Sequence, residues 1–521
     1  MCARPAYHGR VNASEKQHQA EHRNRPTGEA FREFMASSWA PRSTELPELT
    51  EAARYAAARR ERVSAAFPGV RVVVPAGGLK IRSNDTDYVF RPHSAFANLT
   101  GLGADREPDA VLVLEPTTDD EGSPTGHEAV LYFVPLADRD SDEFFANSRV
   151  GEFWVGSRAT LESASAELGV TTRHLDQLSD ALGKDAGPGG VLLRVVRDAD
   201  QEVAALVDRV REQVGLVTDE QSLTTAQEAD LELGRTLSTQ RMVKDDWEVR
   251  QMEEAVAATA TAFDAVVEQL PEALERGRGE RWVEGVFGLH ARHAGNGVGY
   301  DSICASGEHA TTLHWIRNTG DLVDGDLLLV DAGVETDSLY TADVTRTIPV
   351  NGTFTEAQRK VYDAVLEAQE AGLAAARPGN RFKDIHTAAI TVIATRLLEW
   401  GLLPEGVTLE QTLDAEEGQF HRRWMVHGTS HHLGIDVHDC ALALREDYVD
   451  GELSEGMVLT VEPGLYFKSD DLLVPEELRG IGVRIEDDVV ITADGCRNLS
   501  AMLPRTADEV EAWVRARGAR D

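Results

Sequence analysis

The run DLLLVDAGVETDSLYTADVTRTIPV, residues 326–350, decides how the second half of this chain is read. Its first part is a short apolar run ending on a carboxylate, Asp331. Its last part, YTADVTRTIPV, is another apolar run and carries Asp343. Further along, MVLTVEPGLYF carries Glu462 and IGVRIEDDVVI carries Glu486. Short apolar runs bounded by Gly, Pro and Asp predict buried strands. An ionised carboxylate buried without a partner costs several kcal/mol or more. Each case alone has a plain reading. Asp331 could close a turn before Ala-Gly, and Glu486 could belong to a solvated acidic cluster with Asp487 and Asp488. Four such strands in one half predict a shared cation instead.

Strand alternation sorts the neighbours, because residues i and i+2 share a face. Asp343 then sits with Thr345, Glu462 with Thr460, and Glu486 with Arg484. Thr and Arg are suitable hydrogen-bonding supports for carboxylates that hold metal. Four carboxylates, two divalent cations and one imidazole come close to charge balance. Oxygen-rich ligation suits manganese, with cobalt or zinc as alternatives. Two metals about 3.5–4 Å apart can activate a hydroxide, which is a hydrolase design.

The stretch MVHGTSHHLGIDVHD, 425–439, holds His427, His431, His432 and His438, four of the chain's 16 histidines. His427 and His431 have helical ligand spacing, but Gly428, Gly434 and the β-branched residues argue against a helix. The glutamate of an HExxH zinc motif is also missing. Metal ligand, acid–base group and ordinary packing residue all stay open as readings of these histidines.

The composition is consistent with this. Of 521 residues, 52 are basic and 89 acidic, for a net charge of −37. Such a surface repels nucleic acid and anionic lipid. No apolar run approaches the roughly 18 residues of a membrane span, and MCARPAYHGR lacks the apolar core of a signal peptide. Cys2, Cys304, Cys440 and Cys496 are far apart, so a reducing cytoplasm is expected.

Along the chain, residues 1–45 read as a polar extension with one short helix around EAFREFMASSWA. Residues 46–230 alternate helix (TEAARYAAARRERVSAAF, RATLESASAELG) and strand (VRVVVPAG, AVLVLEP, AVLYFVPL), which predicts an α/β domain. A charged helical connection near Leu231–Val249 leads to the second domain, 240–521. Its helices are expected near Glu248–Leu270, Arg281–Ala294, Glu356–Ala376 and Phe382–Trp400, as if helix, helix, strands were given twice.

Taken together, DAGVETDSLYTADVTRTIPVNGTFT, HGTSHHLGIDVHD, VLTVEPGLYF and GIGVRIEDDVVIT resemble the pita-bread metallopeptidases, and within them bacterial aminopeptidase P. RSNDTDYVFRPHSAFANLTGL and EFFANSRVGEFWVG extend the resemblance into the first domain. It implies an α/β (α+β) chain: an N-terminal α/β domain, then a C-terminal creatinase/aminopeptidase-like catalytic domain. The implied metal ligands are Asp331, Asp343, His431, Glu462 and Glu486, with Asp343 and Glu486 bridging two ions. His314, His427 and His438 would line the active site, Arg484 would support Glu486, and Tyr466 would sit nearby. Arg158 would face substrate from the first domain. The implied reaction removes the residue ahead of proline from a peptide N-terminus. A metal-bridging hydroxide attacks, and Glu462 relays the proton. A homo-oligomer, dimer or tetramer, is implied as well. Ala97 departs from the pattern, because some relatives carry a bulky aromatic there.

Overall fold

The computed structural model describes residues 28–84 and 86–518. The polar extension expected over 1–45 lies outside them up to residue 27. The chain divides into two compact units, Met1–Gly234 and Arg235–Asp521. Among the described residues no helix is long and apolar enough to cross a membrane.

In the first unit, the short leader helix α1 (Glu29–Ala36) sets Phe31 edge-on against Phe145. Helix α2 (Glu51–Ala66) starts where Thr50 accepts from the Ala53 amide, and it buries Ala53, Ala56 and Val63. The sheet holds β1 (Val70–Pro75), β2 (Val111–Thr118), β3 (Pro124–Phe133), β4 (Thr171–His174) and β5 (Leu192–Val195), in the order β4-β3-β2-β1-β5. The central pairs β1/β2 and β2/β3 are antiparallel, and the outer strands β4 and β5 run parallel to their neighbours. Val73, Val111, Val113 and Val130 cover one face against Leu178 and Val207.

The second unit opens with helix α3 (Asp246–Glu268). A reciprocal cap between Asp245 and Glu248 interrupts the charged helical connection seen in the sequence. Helices α4 (Gly279–Ala294), α5 (Glu356–Ala375) and α6 (Phe382–Glu399) follow within two residues of expectation at most ends. Three strands, β6 (Ile303–Ser306), β7 (Leu327–Ala332) and β8 (Val344–Pro349), form an antiparallel sheet in the order β8-β7-β6. Strand β9 (Val458–Val461) pairs antiparallel with β11 (Asp487–Ile491), and β11 with β12 (Cys496–Asn498), in a second three-stranded sheet. The segment Gly464–Tyr466 pairs instead with β10 (Gly482–Arg484). Phe263, Phe287, Val330, Val344, Val365 and Leu465 belong to the core beneath these sheets.

The carboxylates occupy the strand ends. Asp331 is the penultimate residue of β7 and pairs in register with Thr345 of β8. Asp343 immediately precedes β8, Glu462 follows β9, and Glu486 precedes β11. At strand ends the ladder gives way to side-chain space, so four polar groups can converge without breaking backbone pairing. Gly333 makes the β7–β8 crossing feasible, since a Cβ there would collide with the Ala342 carbonyl.

Candidate active site

Asp343, His431 and Glu486 each offer a ligand atom, and these atoms lie within 4.8 Å of one another. The His431 Nε2 stands 3.2 Å from Asp343 Oδ2 and 3.9 Å from Glu462 Oε1. Asp331 joins through Tyr300, whose hydroxyl lies 2.6 Å from Asp331 Oδ1 and 2.5 Å from Asp343 Oδ1. All five residues expected to hold metal are therefore in one place. Tyr300 was not expected. It sits in the irregular stretch GNGVGYDS, where neither period nor motif marks it.

The cluster carries more negative charge than its surroundings offset. Burial, then the charges of Asp343, Glu462 and Asp331, push Glu486 well above the ordinary carboxyl range. Burial raises Asp343 as well. Burial lifts Glu462 to about 8, with His431 and Arg484 pulling the other way. Burial disfavours the His431 cation, but the hydrogen bond and charge of Asp343 outweigh it and carry His431 to about 9. Each group is displaced in the direction that adds positive charge to the site.

One oxygen is decisive. Glu486 Oε2 accepts from the Thr345 hydroxyl at 2.7 Å, while Glu486 Oε1 is buried with no hydrogen-bond donor among the described residues. An orphaned, buried carboxylate oxygen among three other carboxylates fits a hard divalent cation. The donor set, four carboxylates and one imidazole, fits it too.

The surrounding residues correct part of the sequence reading. Arg484 makes no direct bond to Glu486. It donates to Asp331 Oδ2 at 2.5 Å, to the Thr345 hydroxyl at 3.1 Å and to the Tyr466 hydroxyl at 3.1 Å. It reaches Glu486 only through Thr345, because β10 ends at Arg484 and the alternation does not carry across the break. Thr460 likewise serves the His431 amide (3.1 Å) rather than Glu462. Asp487 and Asp488, which the plain reading of Glu486 grouped with it in a solvated cluster, are fully buried, against that reading. Asp488 Oδ2 accepts the Asp343 amide at 3.0 Å, which holds Asp343 from behind.

The histidine stretch is irregular backbone, without a helix. His427 sits 3.6 Å from Glu462. Its Nδ1 lies 2.6 Å from the Gly428 carbonyl, and its Nε2 lies 2.7 Å from the Tyr466 hydroxyl. Burial, then Arg484, push it down to about 3, so it is neutral. The Gly428 carbonyl can only accept, which assigns the proton to Nδ1 and leaves Nε2 to accept from Tyr466. His438 is exposed and sets its ring edge-on to His431 at 4.5 Å. His314 is exposed as well, and burial, then His431, lower His438 below the usual imidazole range. His432 points away, stacked on Phe382 at 5.2 Å and fully buried. Arg158 belongs to the first unit, where it donates to Glu107 at 2.9 Å.

Fold and site together define a two-part metallopeptidase. The model of metallopeptidase family M24 matches residues 250–493, and that of the aminopeptidase P N-terminal domain matches 56–190. The chain is 51% identical over 487 residues to Xaa-Pro aminopeptidase 1 of Streptomyces coelicolor, covering 93% of this chain and 91% of the relative. It is 34% identical over 456 residues to the Xaa-Pro aminopeptidase of Escherichia coli, covering 86% and 94%. The solved structure of zinc-substituted Escherichia coli aminopeptidase P in complex with product superposes with a TM-score of 0.75 at 30% identity, over 91% of this chain and all of that one. This chain belongs to the Xaa-Pro aminopeptidase (aminopeptidase P) family, with its α/β N-terminal domain and pita-bread catalytic domain.

Proposed function

We propose that the chain releases the N-terminal residue from peptides with proline second, using two divalent cations held by Asp331, Asp343, His431, Glu462 and Glu486. Manganese is the first choice, with cobalt or zinc as alternatives. Asp343 and Glu486 are assigned as shared ligands, Asp331 to one ion, and His431 with Glu462 to the other. When bound, the ions supply Lewis acidity and lower the pKa of water. The buried Glu486 Oε1 without a donor is the observation that carries this reading.

The remaining work falls to the chain's own groups. A tertiary Xaa-Pro amide has no N–H, so strand-like pairing at that bond is unavailable and the site must orient the peptide by its ends. The Glu462 carboxylate takes the proton of the attacking water and passes it toward the departing proline nitrogen. His427 is engaged at both nitrogens, so its task is to fix the Tyr466 hydroxyl, which Arg484 holds from the other side. That leaves exposed His438 as the imidazole donor to the developing oxyanion, and His314 to position the proline side.

The unpaired Cys304, Cys440 and Cys496 support a reducing cytoplasm. The exposed Phe34, Phe153 and Trp154 of the first unit support self-association as a dimer or tetramer, which light scattering measures.

Metal-stripped protein, assayed on Xaa-Pro-Yaa peptides before and after each metal is added, tests the reading. Turnover is expected only after metal is restored. No turnover with any metal contradicts the reading, and cleavage of Xaa-Pro dipeptides alone would make the protein a dipeptidase. Glu462→Gln at full metal occupancy should lose most activity, and undiminished turnover would remove the proton role.

A further inference from the structure

Glu280, in the first turn of α4, is fully buried and far in sequence from the five residues expected to hold metal. Its carboxylate receives four hydrogen bonds. Oε1 accepts from the Ser306 amide (2.9 Å) and lies 2.7 Å from His309 Nδ1. Oε2 accepts from Trp315 Nε1 (2.8 Å) and from the Gly320 amide (2.5 Å). Three of these partners can only donate. The Glu280 amide in turn donates to the Gly320 carbonyl at 3.2 Å.

All four donors belong to one segment, 306–320. Ser306 and His309 lie on its entering limb, and Trp315 and Gly320 on its returning limb. The limbs are also stacked, with His309 on Trp315 at 4.0 Å and an interplanar angle of 22°. Gly320 is required for this closure, because a Cβ there would press on the Glu280 carboxylate and the His309 ring. Asn318 adds a second clasp, accepting from the Cys304 amide (3.0 Å) and donating to the Ser302 carbonyl (2.9 Å). His314 stands between the two limbs, next to the Trp315 that Glu280 holds.

We propose that Glu280 is the positioning residue for His314: one buried carboxylate closes the 306–320 loop and so fixes the imidazole on the peptide side of the site. The inference rests on reading His314 as part of the peptide site. A buried carboxylate with four donors holds a loop more rigidly than neutral acceptors do, because charge-assisted bonds are shorter and stronger. Glutamine cannot replace it, since its amide NH2 would face an obligate donor on whichever limb it turned to.

The test is a double-mutant cycle on the metal-loaded full-length protein, with kcat and KM measured on an Xaa-Pro-Yaa peptide. His314→Ala alone must lower kcat/KM, and if it matches the wild type the reading of His314 fails, and this inference with it. Glu280→Gln is expected to lower kcat/KM by about 10- to 100-fold at unchanged metal content, as a misplaced contact group does. In the His314→Ala background the same change should cost no more than about 2-fold, because the two residues act as one unit. An equal loss in both backgrounds overturns the proposal, as does a folded Glu280→Gln enzyme with wild-type kinetics. If Glu280→Gln does not fold, Trp315→Phe carries the same cycle. It removes one donor and keeps the ring, so it should cost about 3- to 10-fold in the wild-type background alone.

Discussion

Glu486 and Asp487 are neighbours, both buried, and they meet opposite surroundings. Asp487 accepts from Arg346 (2.7 Å), Gln369 (2.9 Å) and the Ser500 hydroxyl (2.7 Å), with Arg505 at 3.5 Å. Glu486 accepts from Thr345 and has one oxygen without a donor among the described residues. Where the carboxylate only supports the fold, the chain supplies its own counter-charge. At the candidate metal site one Glu486 oxygen is left without a donor among the described residues, although Arg484 pairs with Asp331. Burial alone therefore does not distinguish a structural carboxylate from a candidate ligand. The accounting of its donors separates Glu486 from Asp487, although the buried Asp488 Oδ1 also lacks a donor among the described residues.

The contrast can be broken by mutation. The largest effect is expected at Glu486. Replacement by Gln should cost at least about 1000-fold in kcat/KM through lost metal, yet raise the melting temperature of the metal-free protein by removing an uncompensated charge. Full metal content and full turnover in that variant would erase the distinction. Asp487→Asn should do the reverse. It leaves Arg346 buried and under-compensated, costing about 3–5 kcal/mol in denaturant unfolding, while folded molecules keep their turnover. Equal stability would mean that the Arg346 pair contributes nothing.

A smaller effect tests burial without a counter-charge elsewhere in the unit. His421 is buried, and burial followed by His386 lowers it to about 4. The unfolded chain binds that proton near pH 6.5 and the folded chain does not. Stability from this group is thus complete above pH 6.5 and is lost as pH falls toward 4. Between pH 7 and pH 5 the loss should be about 2 kcal/mol, and His421→Gln should flatten that part of the stability profile. An unchanged profile would show that His421 does not titrate as its burial implies.

Much of this site was legible in the sequence because each carboxylate interrupts a short apolar run, a conflict that burial makes costly. The histidine stretch was legible for a similar reason: its glycines exclude a helix. Other parts were not legible. Tyr300 bridges Asp331 and Asp343 only because the fold brings its irregular stretch over β7 and β8. Glu280 looks like any acidic residue in the first turn of a helix, and its four donors arrive from a distant loop. The partner of Asp487 was not legible either, because Arg346 sits in an apparently apolar strand, 141 residues away. Arg484 was placed against Glu486 by strand alternation, but the strand ends at Arg484 and its guanidinium turns to Asp331. Local pattern finds the charges that are out of place, and tertiary structure alone finds what answers them.

The most direct measurement is a manganese titration of the metal-stripped protein, following melting temperature and Xaa-Pro-Yaa turnover in the same samples. Both should rise together and level off at about two equivalents per chain, the stability gain reaching about 2.7 kcal/mol when free metal is 100 times its dissociation constant, with neither change in Glu486→Gln. Full turnover before any metal is added, or metal binding that moves neither quantity, would contradict the account.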